Sequence, residues 1–285
     1  MKHFARRTRR QLQTATTSLA LGERTLLMGI VNATPDSFFA DSRRPVPELA
    51  LEQGLKLMEE GADILDLGGE STRPGSLPVD EATELARVLP VLGLLRAARP
   101  ELPISIDTQK ARVAARALEA GATIANDIWG LQGDPDMARV VAEARAAVVV
   151  MHNQRGTEYA GDLMAALREF FFKSIDIADK AGIRAEAIVL DPGIGFGKTP
   201  AQNIEVLARL GELRSLGFPV LLGTSRKSVI GHILDLPAEE RLEGTLATSA
   251  LGVAAGVDIL RVHDVKANLR AARVADALSA AAQAH

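Results

Sequence analysis

The feature that most restricts this chain is an alternation repeated along nearly its whole length. Short apolar runs at 26–31, 62–67, 103–106, 123–125, 147–151, 187–190, 219–222 and 259–262 take turns with segments whose apolar residues recur at helical spacing, at 47–61, 79–98, 110–121, 135–145, 161–182, 201–217, 242–256 and 265–281. The runs are mostly apolar, as expected of strands buried on both faces of a parallel sheet. Strand then helix, eight times over, predicts parallel strands joined by helical crossovers. At 285 residues the pattern gives an α/β chain, a closed (β/α)8 TIM barrel in one domain, a fold typically of about 250 residues. An open doubly wound sheet is the alternative. It calls for a glycine fingerprint after the first strand, where this chain has NATPDSF (32–38).

Residues 1–22 stand apart. Lys2, Arg6, Arg7, Arg9 and Arg10 are basic, and no acidic residue precedes Glu23. A transit peptide or twin-arginine signal would begin in this way, but QLQTATTSLALG lacks a convincing apolar core. The reading is a disordered basic tail on a cytoplasmic protein, with the barrel domain at 23–285. A net charge of −3 gives no general attraction to nucleic acid or anionic membrane, and no apolar run is long enough to span one. With no cysteine in the chain, disulfides, thiolate chemistry and Cys-ligated zinc are excluded.

In a barrel the active site lies at the carboxyl ends of the strands. Those ends carry Asn32, Asp66, Asp107, Asn126, His152, Asp191, the turn at 225–228, and Arg261 to His263. One polar strand end has a bland explanation, such as a cap or an ion pair. Polar groups at every end, converging on one mouth, indicate a site. The stretch AIVLDPGIGFGK (187–198) is the most telling. A carboxylate closes a buried run, Pro192 ends ladder pairing, and glycines at alternate positions let backbone pass close to a ligand. Its spacing is not that of a P-loop, because the required glycine is Pro192. Arginines at 73 and 261 suit anionic oxygens. Asp107, Asn126 and Asp191 offer the donors and acceptors that a flat heterocycle needs. Only two of the five histidines sit at strand ends, without metal-ligand spacing. Magnesium, needing only one or two protein oxygens beside phosphate, stays open.

These segments resemble the dihydropteroate synthase family of folate biosynthesis. The resemblance rests on MGIVNATPDSF (28–38), DLGGESTRPGS (66–76), SIDTQK (105–110), GATIANDIWG (121–130), VMH (150–152), DPGIGFGK (191–198), LLGTSRKSVIG (221–231) and RVHDV (261–265). It implies a Mg2+-dependent, sulfonamide-targeted transferase, expected as a homodimer. The reaction joins 7,8-dihydropterin-6-ylmethyl pyrophosphate to 4-aminobenzoate. It further implies that Asp107, Asn126, Asp191 and Lys227 hold the pterin, with Met151 and Phe196 on the wall and Arg261 stacked on the ring. Asn32, Thr72, Arg73, Arg261 and His263 would hold pyrophosphate, with Mg2+ at Asn32. Thr72, Pro74, Lys227 and Ser228 would meet aminobenzoate. Arg261, His263, Lys227 and Asn32 would stand nearest the chemistry. The first loop departs from the family pattern: it reads SFFADSRR, which leaves open whether Asp36 or Asp41 faces the reaction, with Phe38 or Phe39 closing over it. Asn153 stands where the family commonly has Met. A pterin-dependent methyltransferase and a non-catalytic pterin-binding paralogue are the competing readings.

Overall fold

A computed structural model of the protein describes residue 5 and residues 7–34, 46–70 and 78–283. Its centre is an eight-stranded parallel sheet. The strands are β3 (Leu26–Asn32), β4 (Ile64–Gly68), β5 (Ile104–Asp107), β6 (Ile124–Asp127), β7 (Ala147–Met151), β8 (Ile188–Asp191), β9 (Leu221–Leu222) and β10 (Ile259–Val262). Neighbours pair in the order β8-β7-β6-β5-β4-β3-β10-β9. The ring closes between β8 and β9 through a parallel bridge, Leu190 to Val220, where the Leu190 N–H donates to Pro219 O at 2.9 Å. β9 is short in part because Pro219 supplies no N–H to the ladder. The expected barrel is therefore the observed one.

Nine helices are described: α1 (Val46–Glu59), α2 (Glu81–Ala98), α3 (Ala111–Glu119), α4 (Met137–Glu143), α5 (Leu163–Ala181), α6 (Pro200–Ala208), α7 (Ser228–Leu234), α8 (Leu242–Ala254) and α9 (Val265–Gln283). Several starts follow from side-chain caps, which meet N–H groups that have no partner inside the helix. Asp80 accepts from Thr83 N, and Asp162 from Ala165 N. Thr199 and Gln202 form a reciprocal capping box. α5 ends on Gly182 in the left-handed region, with φ 85°.

Two sequence expectations change here. The predicted helix at 201–217 breaks after Ala208: Arg209 leaves helical geometry at φ −106°, ψ 12°, and residues Leu210–Leu216 wind as a 3-10 helix. The SRKS turn continues into α7, a helix the periodicity did not suggest.

The larger correction concerns the supposed disordered tail at 1–22. Within it, β1 (Arg10–Gln13) and β2 (Ser18–Leu21) form an antiparallel hairpin. Leu12 and Leu21 are buried in the common core. Arg10 donates to Gly217 O at 2.5 Å, and Ala15 N to Thr123 O at 3.4 Å. Both acceptors precede strands, so the hairpin covers the amino-terminal floor of the barrel. Arg7 reaches across that floor to pair with Asp276 of α9 and donates to Thr25 at 2.8 Å. Arg7 and Arg10 are therefore fastenings, whereas Lys2 and Arg6 lie outside the described residues.

Candidate active site

The seven residues expected around a pterin do meet. Asp107, Asn126, Met151, Asp191, Phe196, Lys227 and Arg261, with Ile128 and Gly223, line one cavity at the carboxyl end of the barrel. Its free space is only about 10 Å3, because Arg261 lies across it. Arg261 Nε donates to Asp66 Oδ2 at 2.6 Å, and its Nη2 to Asp107 Oδ2 at 2.6 Å. Asn126 Nδ2 donates to the same Asp66 oxygen at 3.1 Å. Asp66 is thus the hub of the mouth, yet it was noted only as a strand end. Its partner Arg261 lies 195 residues away in sequence, and no local pattern shows that pairing.

The charges are buried and incompletely met. Asp66 Oδ1 and Asp107 Oδ1 are both buried without a hydrogen-bond partner among the described residues. Burial pushes the Asp107 carboxyl up to about 7, the Arg261 cation pulls it back, and Asp66 and Glu84 push it up again. Burial works against the Arg261 cation as well, but Asp66 and Asp107 outweigh it and leave Arg261 more firmly protonated than usual. An acceptor left without a donor in low dielectric costs about 1–3 kcal/mol. The mouth keeps acceptors ready for N–H groups that a ligand would bring.

The glycine-rich turn after β8 forms the opposite wall. Asp191 Oδ1 accepts from Gly193 N at 2.7 Å. Burial raises the Asp191 pKa, and the Lys227 charge opposes the rise. Lys227 Nζ donates to Ile194 O at 2.5 Å and stands 4.8 Å from the centre of the Phe196 ring, a cation–π distance. Burial brings Lys227 down to about 8, against the attraction of Asp191. Glycine is required at 193: at φ +65°, an added Cβ would lie 1.9 Å from His152 O.

The other expected site residues lie around this cavity. Arg261 and His263 leave the same strand but serve different partners: His263 Nδ1 is 2.9 Å from Ser225 Oγ, which also accepts from His263 N at 3.2 Å. Ser225, buried, therefore positions His263, a role the motif did not reveal. Asn32 is half-buried at the end of β3, and Ser228 is exposed at the start of α7. Asn153 is buried beside His152. Thr72, Arg73, Pro74, Asp36, Phe38, Phe39 and Asp41 lie outside the described residues. At the edge of the second loop, Glu70 accepts from Val79 N at 3.3 Å and from Lys110 at 2.5 Å, while Lys110 also meets the fully buried Glu84 at 2.5 Å.

A larger cavity of about 290 Å3 opens at the floor beside Arg24, Asp63 and Asp276. Those carboxylates are already engaged: Arg24 grips Asp63 with two bonds of 2.9 and 2.6 Å. Size alone would choose the floor, whereas unmet polar valence selects the mouth.

Known proteins resemble the chain over most of its length. A model described as pterin binding enzyme matches residues 28–263. A dihydropteroate synthase of Clostridium beijerinckii is 48% identical over 257 residues, covering 90% of this chain and 95% of that one. The solved dihydropteroate synthase of Clostridium difficile, in the presence of pteroic acid, is 53% identical with a TM-score of 0.89, covering 90% of this chain and 98% of that one. The enzyme of Xanthomonas albilineans with 4-aminobenzoic acid is 42% identical with a TM-score of 0.90, covering 96% and 99%.

Proposed function

The chain belongs to the family of pterin-binding enzymes, and from that premise we propose a function for its mouth. It is a transferase that catalyses the dihydropteroate synthase reaction. 7,8-Dihydropterin-6-ylmethyl pyrophosphate and 4-aminobenzoate condense to 7,8-dihydropteroate and pyrophosphate. The observation that carries the reading is the cavity, where Asp107, Asn126 and Asp191 present acceptors and donors between Met151 and Phe196.

In this reading the flat, N–H-rich pterin supplies what Asp107 Oδ1 lacks. Phe196 and Met151 give its ring apolar faces. Arg261, already at the mouth, exchanges a carboxylate for the face of the ring and the pyrophosphate, for which a planar guanidinium is well suited. The amine of aminobenzoate is a weak nucleophile, so the rate depends on helping the leaving group depart. The C–O bond to pyrophosphate breaks, the C–N bond to the amine forms, and the amine loses a proton. Arg261, His263 and Lys227 place positive charge or hydrogen-bond donors where negative charge builds. Lys227 and Ser228 meet the aminobenzoate.

The chemistry of Asn32 fits a magnesium site. A neutral carboxamide oxygen is the kind of single protein ligand Mg2+ accepts when phosphate and water complete its shell. When bound there, the ion neutralises charge on the departing pyrophosphate. A homodimer is supported by large exposed apolar side chains on α7, α8 and α9: Ile233, Leu234, Leu251, Val274 and Leu278. No helix among the described residues is long and apolar enough to cross a membrane, and a cytoplasmic enzyme suits a chain without cysteine.

The test is a pyrophosphate-release assay. Release should require the pterin substrate, 4-aminobenzoate and Mg2+ together. No release with all three, or equal release without the amine, would overturn the reading.

A further inference from the structure

The wall formed by residues 193–197 is built from backbone that cannot hold its own shape. Gly193, Gly195 and Gly197 all have positive φ, at +65°, +87° and +55°, and glycine loses more conformational freedom on ordering than any other residue. Something outside the turn must fix it. Lys198, which closes the turn, is buried at 8% exposure. Its ammonium has three N–H donors and meets three acceptors: His152 Nδ1 at 2.8 Å, Gly193 O at 3.0 Å and Phe196 O at 3.0 Å. The first belongs to the end of β7, and the other two to the two ends of the turn.

We propose that Lys198 is a positioning residue for the pterin. It staples the glycine turn to the end of β7, and so fixes the Phe196 wall. The proposal depends on the pterin reading given above.

Three further observations support it. The acceptors that Lys198 meets are neutral, and no carboxylate pairs with it among the described residues. A buried ammonium of this kind is costly, and packing alone would be served by Met. Burial accordingly brings Lys198 down to about 7, opposed by Asp191 and assisted by Lys227, the two charged groups that face it from β8 and from the turn before α7. Lastly, the acceptor is itself held. The ring of His152 packs edge-on to Phe170 at 4.8 Å and stacks at 6.0 Å with Tyr159. Burial, with the charge of Lys198, presses His152 down to about 3. The imidazole therefore stays neutral, and an ammonium that can only donate selects the tautomer whose Nδ1 is the acceptor. Tyr159 adds a second fastening through its hydroxyl, which donates to Gly197 O at 2.7 Å.

The experiment compares steady-state constants for wild type, Lys198→Met and Lys198→Gln. Lys198→Met keeps length and apolar bulk but removes all three donors. The KM for the pterin substrate should rise about tenfold, from loss of order in one wall, while kcat and the KM for 4-aminobenzoate stay within about threefold. Lys198→Gln, which restores two N–H donors, should fall between. Hydrogen exchange across 192–199 in the ligand-free enzyme should quicken in the Met variant. An unchanged pterin KM in the folded Met variant overturns the proposal. So does a uniform loss of kcat and both KM values together with melting temperature, which would mark a scaffold residue. If Lys198→Met does not fold, Tyr159→Phe releases the turn without touching a charge. It should raise the pterin KM alone, by about twofold to threefold, and no change there is equally fatal. Wild-type enzyme that releases no pyrophosphate refutes the function itself, independently of how Lys198 behaves.

Discussion

At the floor of the barrel, Asp276 is met by Arg7, by Thr25 N at 2.9 Å and by Thr25 Oγ1 at 2.9 Å. Asp63 takes both arms of Arg24 and the Leu27 N–H at 2.9 Å. At the mouth, Asp66 and Asp107 share one guanidinium, and each keeps a buried oxygen with no partner among the described residues. Both ends set carboxylates beside arginines, half-buried at the floor and buried at the mouth, yet only the floor satisfies them from within. The difference shows where the chain has committed its polar groups to folding and where it holds them for a ligand. A fully met carboxylate stabilises the fold and has little left to offer a substrate. A half-met one makes the fold less stable and gives the substrate an oriented partner.

The comparison breaks most readily at the floor. Asp276→Ala strands the Arg7 cation, whose side chain is only 6% exposed, and should cost about 3–5 kcal/mol of stability. Urea unfolding measures the loss, and kcat and both KM values should stay within about twofold. A fall in activity at unchanged stability would mean that the floor takes part in the chemistry. At the mouth the expectation reverses. Asp191→Asn should weaken pterin binding by about 1.5–3 kcal/mol, as for one charge-assisted hydrogen bond. It should leave stability equal or slightly higher, because a buried charge has gone. Calorimetry of binding and thermal unfolding on the same sample settle the point: an unfolded or much destabilised variant would make Asp191 a floor-like residue.

The smallest effect is one of pH. A pterin N–H needs Asp107 ionised, and that form is lost as pH falls through about 7. Lys227 loses its charge as pH rises through about 8. The kcat/KM for the pterin substrate should therefore be bell-shaped, with limbs that belong to the coupled set and fall about tenfold per pH unit. Stability should run the other way. Asp107 titrates higher in the folded chain than its ordinary value of 3.8, so the folded state holds the extra proton between that value and about 7, and stability falls across this window as pH rises. Lys198 and Lys227 titrate below their ordinary 10.5, so the unfolded state holds the extra proton from about 7 or 8 upward, and stability rises there. The mouth's contribution to stability is thus lowest near the pH at which it binds best. A flat rate profile between pH 6 and 9 would remove these groups from binding.

Much of this was legible because strand ends in a barrel are fixed by period and topology. Asp107, Asn126 and Asp191 each close an apolar run, Arg261 sits one residue before the end of another, and eight runs leave little freedom in where they converge. What stayed hidden lies between runs rather than at their ends. Asp66 was visible, but its bonds to Arg261 and Asn126 cross the barrel. Ser225 and Lys198 act through hydrogen bonds that spacing does not encode. The hairpin at 10–21 was missed because its strands are four residues each, mostly polar or partly exposed, and bury chiefly Leu12 and Leu21. So few apolar positions leave no period to read, and the basic residues beside them suggested solvent.

The pairing of β3 with β10 makes a second seam, and it has a consequence in time. β3 is the first barrel strand made and β10 the last, yet they are neighbours, with Leu26 opposite Ile259. Arg7 meets Asp276 across 269 residues of chain. During synthesis β3 gains one neighbour early, when β4 emerges, and then waits with its other edge unpaired until β10 has left the ribosome. An unpaired edge invites pairing with other chains, and contacts this distant in sequence form slowly. The floor hairpin, made before every barrel strand, can be locked by α9 only after β10 has been made. A ribosome-bound chain stalled before residue 259 therefore carries a barrel with an open seam and unlatched Arg7, and becomes compact only as the final strand and helix are added.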